Sequence, residues 1–310
     1  MKLHRIFSVP LLLVCLSAMT PLEAATFILP PEDQSVVGQI QYEVASEEDT
    51  LGDIARRHDL GYEELTLANA DVDPWLPGEG TRVTLPTRYV LPYGPREGIV
   101  LNVPEMRLYY YPPAKDGKLP QVITYPVSIG RGDWETPLGS TTIIAKTENP
   151  TWIPPESIRA EHAAQGDFLP RTVPPGPNNP LGKFALRLGL PGYLIHGTNK
   201  PYGIGMRVTH GCVRLYPEDI ETLFGTVPEG TPVRIVHQPY KVGWHLGQLF
   251  LEAHPPFGDE PRAQPLSLTP LVRAMLAATE DRPGYRIDHK RAQQLVRNPQ
   301  GIPLQIDTES

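Results

Sequence analysis

A mainly β fold, a sandwich or barrel-like sheet with a small βααβ unit before it and an extension behind it, is what this sequence predicts. Three observations carry that reading. The chain holds 37 Pro and 27 Gly among 310 residues, which interrupts long helices and favours short strands joined by shaped loops. Between residues 98 and 237 the β-branched and aromatic residues come in short runs bounded by Gly and Pro. Sustained helical periodicity in that stretch is confined to residues 217–224. A net charge of −7, from 28 Lys+Arg against 35 Asp+Glu, argues against a nucleic-acid partner or an anionic lipid surface.

In chain order, Lys2 and Arg5 precede an apolar run over residues 6–19 that only Ser8, Pro10 and Ser17 interrupt. Ala24 supplies a small residue for cleavage, so residues 1–24 read as an export signal and the mature chain starts near Ala25. No later stretch reaches the length of a membrane span, so none is expected once the signal is removed. Residues 26–40 read as a polar lead-in containing proline. Gln41, Tyr42, Glu43 and Val44 alternate like a short strand, and Thr50 with Asp53 three residues on forms an acidic version of the capping box. Leu51, Ile54 and Ala55 share one helical face; a second helix is expected over residues 62–68, ended by Asn69. Pro74, Pro77 and Gly78 make a turn before a strand over residues 82–86. This unit holds no grouping of acid, base and nucleophile, so it reads as a binding module.

Strands are then expected over residues 99–103, 106–111, 122–129, 141–145, 183–190, 193–196 and 232–236, with one helix over 217–224. Residues 241–253 suit an edge hairpin. Thr269 and Pro270 suit the N-cap and first residue of a helix running to residue 279, and a further helix fits residues 288–296. No catalytic pattern is visible in this last part, which reads as packing or partner surface.

The chemistry centres on a cysteine. The only other one, Cys15, leaves with the export signal, so Cys212 is alone in the mature chain. In an oxidising compartment a lone thiol is a liability unless buried or used. The ordinary role of a free cysteine is that of a small buried apolar residue, but the neighbours of Cys212 point elsewhere. His196-Gly197-Thr198 is followed by a loop with Pro201, Gly203 and Gly205, then by Thr209-His210-Gly211-Cys212-Val213-Arg214-Leu215. The thiolate is the nucleophile, and an imidazole close by makes it available near neutral pH. His196, at a strand end, can meet Cys212 if the loop folds back. The amides of His210, Gly211 and Cys212 can line an oxyanion hole, and Arg214 adds a permanent cation. As a zinc site, His196, His210 and Cys212 give three ligands with nothing spaced to complete the set, so no metal or other cofactor is expected. Tyr193, Trp152, Asn178, Asn179, Tyr202 and Thr209 are candidates for lining a substrate channel.

Two resemblances sharpen this reading. Tyr42, Val44, Asp49-Thr50-Leu51, Ile54-Ala55, Glu64-Leu65, Ala68-Asn69, Leu76-Pro77 and Leu85-Pro86, within residues 40–87, resemble a LysM module, with Glu47-Glu48 in place of the usual small residue or Gly before Asp49. That resemblance implies binding of N-acetylglucosamine-containing glycan such as peptidoglycan. The His196 and Cys212 motifs, with Thr136-Pro137-x-Gly139 and Pro177-x-Asn179-Pro180-Leu181-Gly182, resemble the L,D-transpeptidase (YkuD-type) catalytic domain over residues 97–237, leaving 238–310 as a C-terminal extension. The whole arrangement is similar to Gram-negative periplasmic enzymes that join peptidoglycan stem peptides to one another or to the major outer-membrane lipoprotein.

The resemblance implies roles residue by residue. Cys212 is the nucleophile, His196 the general base and acid, Gly197 the residue that orients the imidazole through the backbone, and His210, Gly211 and Cys212 the oxyanion donors; Arg214 stands where some relatives carry Asn. The implied reaction forms a thioester with the meso-diaminopimelate carbonyl of a tetrapeptide stem, releases D-Ala and passes the acyl group to an amine. Carbapenem acylation of Cys212 is implied as well. Hydrolysis of the same bond, as in an L,D-carboxypeptidase or endopeptidase, and a non-catalytic peptidoglycan-binding protein are the alternatives.

Overall fold

The computed structural model describes residues 24–114, 116–256, 267–280, 282 and 285–308. Apart from Ala24, the expected export signal lies outside the described residues. The fold is mainly β, as expected. A nine-stranded sheet runs in the spatial order Ala25–Ile28, Gln121–Pro126, Arg107–Tyr111, Gly98–Asn102, Pro232–Val236, Gly139–Glu148, Phe184–Leu188, Leu194–His196 and Val213–Arg214. Its pairings are antiparallel except two: Gly98–Asn102 with Pro232–Val236, and Leu194–His196 with Val213–Arg214.

Both faces of this sheet are covered, which is why its central strands read as unbroken apolar runs. Ile99, Leu101, Leu108 and Tyr110 point into the main core with Ile143, Leu186, Ile195, Val213 and Leu215. The helix Pro217–Thr226 closes that core with Ile220 and Leu223, both fully buried. The alternate residues Val100, Tyr109, Tyr111 and Val122 pack on the opposite face against Val37, Tyr89 and Leu91. Each fully buried aliphatic side chain of this kind contributes about 1.5–3 kcal/mol relative to exposure.

Residues 26–40 are not the polar lead-in that their composition suggests. Ala25–Ile28 is the edge strand of the large sheet, with Ala25 opposite Thr124 and Ile28 opposite Gln121. Val36–Gly38 pairs with Arg88–Val90, which places Val36 and Val37 in buried positions. These strands are three or four residues long, too short for an alternating pattern to stand out beside Pro30 and Pro31. Another departure is the helix Glu156–Ala164, none of whose residues is buried; it lacks the apolar stripe that would have revealed it.

The small βααβ unit pairs Gln41–Val44 with Arg82–Leu85 and packs Leu51–Arg57 and Tyr62–Ala68 against them. Leu51, Ile54, Ala55, Leu60, Leu65, Val83 and Leu85 form its core. Thr50 caps the first helix reciprocally with Asp53: the Asp53 amide donates to Thr50 Oγ1 at 3.1 Å, and the Thr50 amide donates to Asp53 Oδ2 at 3.0 Å. At the other end of the chain, Tyr240–His245 and Gln248–Ala253 form a hairpin that, with Leu304–Gln305, makes a separate three-stranded sheet, so the hairpin is not an edge of the main one. The helices Thr269–Thr279 and His289–Arg297 supply Leu271, Met275, Ala292 and Val296 to the core of this sheet. Buried Lys241 ties it to the main body, with Glu105 at 2.7 Å and Glu252 at 2.9 Å. Among the described residues no helix is long and apolar enough to cross a membrane.

Candidate active site

The parallel pairing of Leu194–His196 with Val213–Arg214 organises the site. Ile195 lies opposite Val213 and His196 opposite Arg214, and the Leu215 amide donates to the His196 carbonyl at 2.9 Å. Paired strands run about 4.8 Å apart, so the ends of a long loop are brought side by side, with His196 closing one strand and Cys212 opening the next. His196 is 4% exposed. Its Nδ1 lies 2.6 Å from the Gly197 carbonyl oxygen. A carbonyl only accepts, so Nδ1 carries the proton and Nε2 offers its lone pair. Burial, reinforced by the Arg214 charge, lowers the pKa of His196 to about 3, which keeps the imidazole neutral at ordinary pH.

Cys212 is half-buried, and its Sγ lies 3.7 Å from the Gly192 carbonyl. Burial raises the thiol pKa, while the Leu194 amide and the Arg214 charge oppose that rise. The turn beneath the cysteine is tightly specified. Thr209 Oγ1 donates to the Cys212 carbonyl at 2.6 Å, and Thr136 Oγ1 donates to the Gly211 carbonyl at 2.9 Å. Gly211 has φ +95°, and a Cβ there would stand 2.7 Å from the Tyr193 ring. The ring therefore packs directly on the residue before Cys212. The Arg214 charge acts on both His196 and Cys212, and its buried Nε has no hydrogen-bond partner among the described residues.

Other candidates are placed differently from what their types suggest. The His210 imidazole turns to Glu161 at 2.9 Å and Arg131 at 3.1 Å, with the Trp134 ring 5.0 Å away; what His210 offers beside Cys212 is backbone. Asn179 is fully buried, its amide nitrogen shared among the Pro150, Val173 and Pro174 carbonyls and its oxygen accepting from the Leu181 amide. It pins loops and has no group left for a ligand. Thr209 is likewise committed to the turn. Tyr202 is 65% exposed on the loop between His196 and Cys212, Asn178 is exposed, and Trp152 pairs through its backbone with Val173.

The sequence reading missed Arg131, Trp134 and Glu161, which with Gly132 and Asp133 line a cavity of about 470 Å³ beside His210. Hydrogen bonds from His210 and Arg131 hold the Glu161 carboxyl below its ordinary pKa. No spacing in the sequence joins these residues; the exposed helix Glu156–Ala164 delivers Glu161 from about fifty residues away. Three potential metal ligands within 4.8 Å occur among the described residues at Glu105, Glu252 and His254. The ammonium of Lys241 already sits between the two carboxylates.

Residues 96–235 match the family model for the L,D-transpeptidase catalytic domain, YkuD. Sheet, loop and match together define a catalytic domain of the L,D-transpeptidase class. The chain belongs to the L,D-transpeptidase family: it is 40% identical to "Probable L,D-transpeptidase YcfS" of Escherichia coli, over 92% of this chain and 89% of that one. It is 39% identical to "Probable L,D-transpeptidase ErfK/SrfK" of the same organism, over 93% and 92% of the two chains. A solved catalytic domain of an Enterococcus faecium L,D-transpeptidase aligns over its whole length and 47% of this chain, with 23% identity and a TM-score of 0.34. The protein is thus an L,D-transpeptidase, of a family that acts on peptidoglycan.

Proposed function

We propose that this protein is an exported, periplasmic L,D-transpeptidase that works through a Cys212 thioester and needs no metal or organic cofactor. The observation that carries the proposal is the pairing of the two strands that present His196 and Cys212, with Nδ1 tied to the Gly197 carbonyl. Thiol and imidazole both rest neutral. As Sγ attacks the meso-diaminopimelate carbonyl of a tetrapeptide stem, His196 Nε2 takes the thiol proton. The tetrahedral oxyanion faces the amides of His210, Gly211 and Cys212. Its collapse breaks the bond to D-Ala, whose nitrogen leaves with the proton from His196. An incoming amine then attacks the thioester, gives its proton to His196, and the Cys212 thiol is restored as the new amide forms. Residues 40–87, a strand-helix-helix-strand unit, act in this reading as a LysM module that keeps the enzyme on peptidoglycan glycan.

The acceptor is the side-chain amine of another stem or a lipoprotein C-terminal lysine, and the arrangement of the whole chain favours the lysine slightly. Product analysis decides this. Mature enzyme incubated with disaccharide-tetrapeptide, with and without a lysine-ended lipoprotein peptide, should yield a stem-stem or stem-peptide amide and free D-Ala. Disaccharide-tripeptide as the sole product would make the enzyme a hydrolase. Unchanged turnover by Cys212→Ala would overturn the thioester.

A further inference from the structure

The loop from Gly197 to Gly211 joins the two reacting residues, and the βααβ unit grips it. The Tyr62 amide donates to the Ile204 carbonyl and the Glu63 amide to the Gly205 carbonyl, both at 3.1 Å. The Glu63 carboxylate accepts from the backbone of Arg207. Gly61 and Gly205 meet backbone to backbone: a Cβ on Gly205 would fall 2.2 Å from Gly61 Cα, and one on Gly61 would fall 2.9 Å from Gly205 Cα. On the other side of the loop, Ser128 Oγ donates to the Gly203 carbonyl at 2.5 Å and the Ile129 amide to Met206 at 3.3 Å. The loop is clamped between the small unit and the large sheet.

The grip is itself anchored. Glu64 accepts from the Gly61 amide at 3.0 Å and from fully buried Arg107 of the large sheet at 2.6 Å. Arg56 pairs through both guanidinium nitrogens with Glu218, at the start of the helix that follows Arg214. Tyr216 donates to the Leu60 carbonyl at 3.0 Å. A module that only tethered the enzyme to glycan could hang on a flexible linker. This one spends the start of its second helix on the catalytic loop.

We infer that the βααβ unit is a positioning part of the active site, with Gly61 and Glu63 as positioning residues that hold the loop joining His196 to Cys212 in its reactive form. The inference rests on the reading of His196 and Cys212 as the reacting pair, and it makes transfer dependent on the small unit even for a soluble substrate carrying no extended glycan.

Gly61→Ala in the full mature chain tests it. Gly61 has φ −79°, which alanine adopts without strain, so the new methyl acts mainly by pressing on Gly205. Glu63→Ala, which removes the acceptor for Arg207 from a helix position that suits alanine, is the milder companion. Losing contacts of this kind is expected to slow Cys212 acylation by soluble tetrapeptide about tenfold in Gly61→Ala and about threefold in Glu63→Ala, with the half-saturating substrate concentration unchanged. Amide hydrogen exchange should quicken over residues 197–211 in both, and this readout needs no activity. Wild-type acylation and exchange are recorded alongside. If the wild type forms no adduct, the functional reading fails and the positioning role falls with it, whereas a reactive wild type leaves the variants to decide the positioning role alone. Wild-type acylation rates together with unchanged loop exchange in the folded variants would overturn it; should Gly61→Ala fail to fold, Glu63→Ala decides alone.

Discussion

Acid should destabilise this protein through His196 in a way that one substitution isolates. The imidazole is 4% exposed, and burial with the Arg214 charge brings its pKa from an ordinary 6.5 to about 3. Below pH 6.5 the unfolded chain takes up a proton that the folded chain refuses until about pH 3. The folded pKa is depressed, so the stability this group contributes is intact above 6.5 and drains away as the pH falls toward 3. Each pH unit in that window costs about 1.4 kcal/mol, which makes the loss between pH 6.5 and 4.5 roughly 2–3 kcal/mol. His196→Gln keeps a side-chain N–H for the Gly197 carbonyl but gains no proton. Urea unfolding of both proteins across this range should show the wild type losing that much relative to the variant. The buried Asp59 and Asp219 carboxyls, both raised by burial, with Asp59 raising Asp219 further, titrate in the opposite sense, with stability lost as pH rises toward 7. Both proteins carry them, so they cancel in the difference. Parallel stability curves for the two proteins would refute the claim that His196 is held neutral by its surroundings.

Glu64→Ala strands the buried Arg107 guanidinium without its carboxylate and should cost about 3–5 kcal/mol in urea unfolding; a loss under about 1 kcal/mol would mean the pair is hydrated. Gly211→Ala places a methyl on the Tyr193 ring at a φ of +95°, and should slow Cys212 acylation by about a hundredfold on the scale of a misplaced reacting group; near wild-type rates would show that the turn tolerates side chains. Arg214→Leu removes a charge that lowers the Cys212 pKa and also the His196 pKa, so both should rise. Iodoacetamide labelling of Cys212 should then be several-fold slower than wild type at mildly alkaline pH and shift to higher pH, and an unshifted labelling profile would remove Arg214 from the site's electrostatics.

Much of this was legible in the sequence where local physics decides. The capping pair Thr50 and Asp53, the helix Tyr62–Ala68 and the helix start at Pro217 follow from side-chain hydrogen bonding and proline geometry, and they appear at the positions those rules give. His196 and Cys212 stood out because the loop between them begins and ends in His-Gly motifs. What the sequence could not show depends on distant partners. Ala25–Ile28 is a strand because Gln121–Pro126 is there to pair with it. The His210 ring meets Glu161 only because an exposed helix with no apolar stripe crosses beside it. Asn179, a plausible ligand-binding amide by type, is consumed by three carbonyls and an amide of its own loops. Nothing local in the sequence sets Gly61 or Gly205 apart from other loop glycines, because their value lies in touching each other.

Intact-protein mass spectrometry of the mature enzyme mixed with disaccharide-tetrapeptide, followed by peptide mapping, tests the central claim most directly. An adduct of the disaccharide-tripeptide acyl group on Cys212 is expected, with stoichiometric release of D-Ala and loss of the adduct when an acceptor amine is added. An adduct at any other residue, or product formation by Cys212→Ala at the wild-type rate, would contradict it.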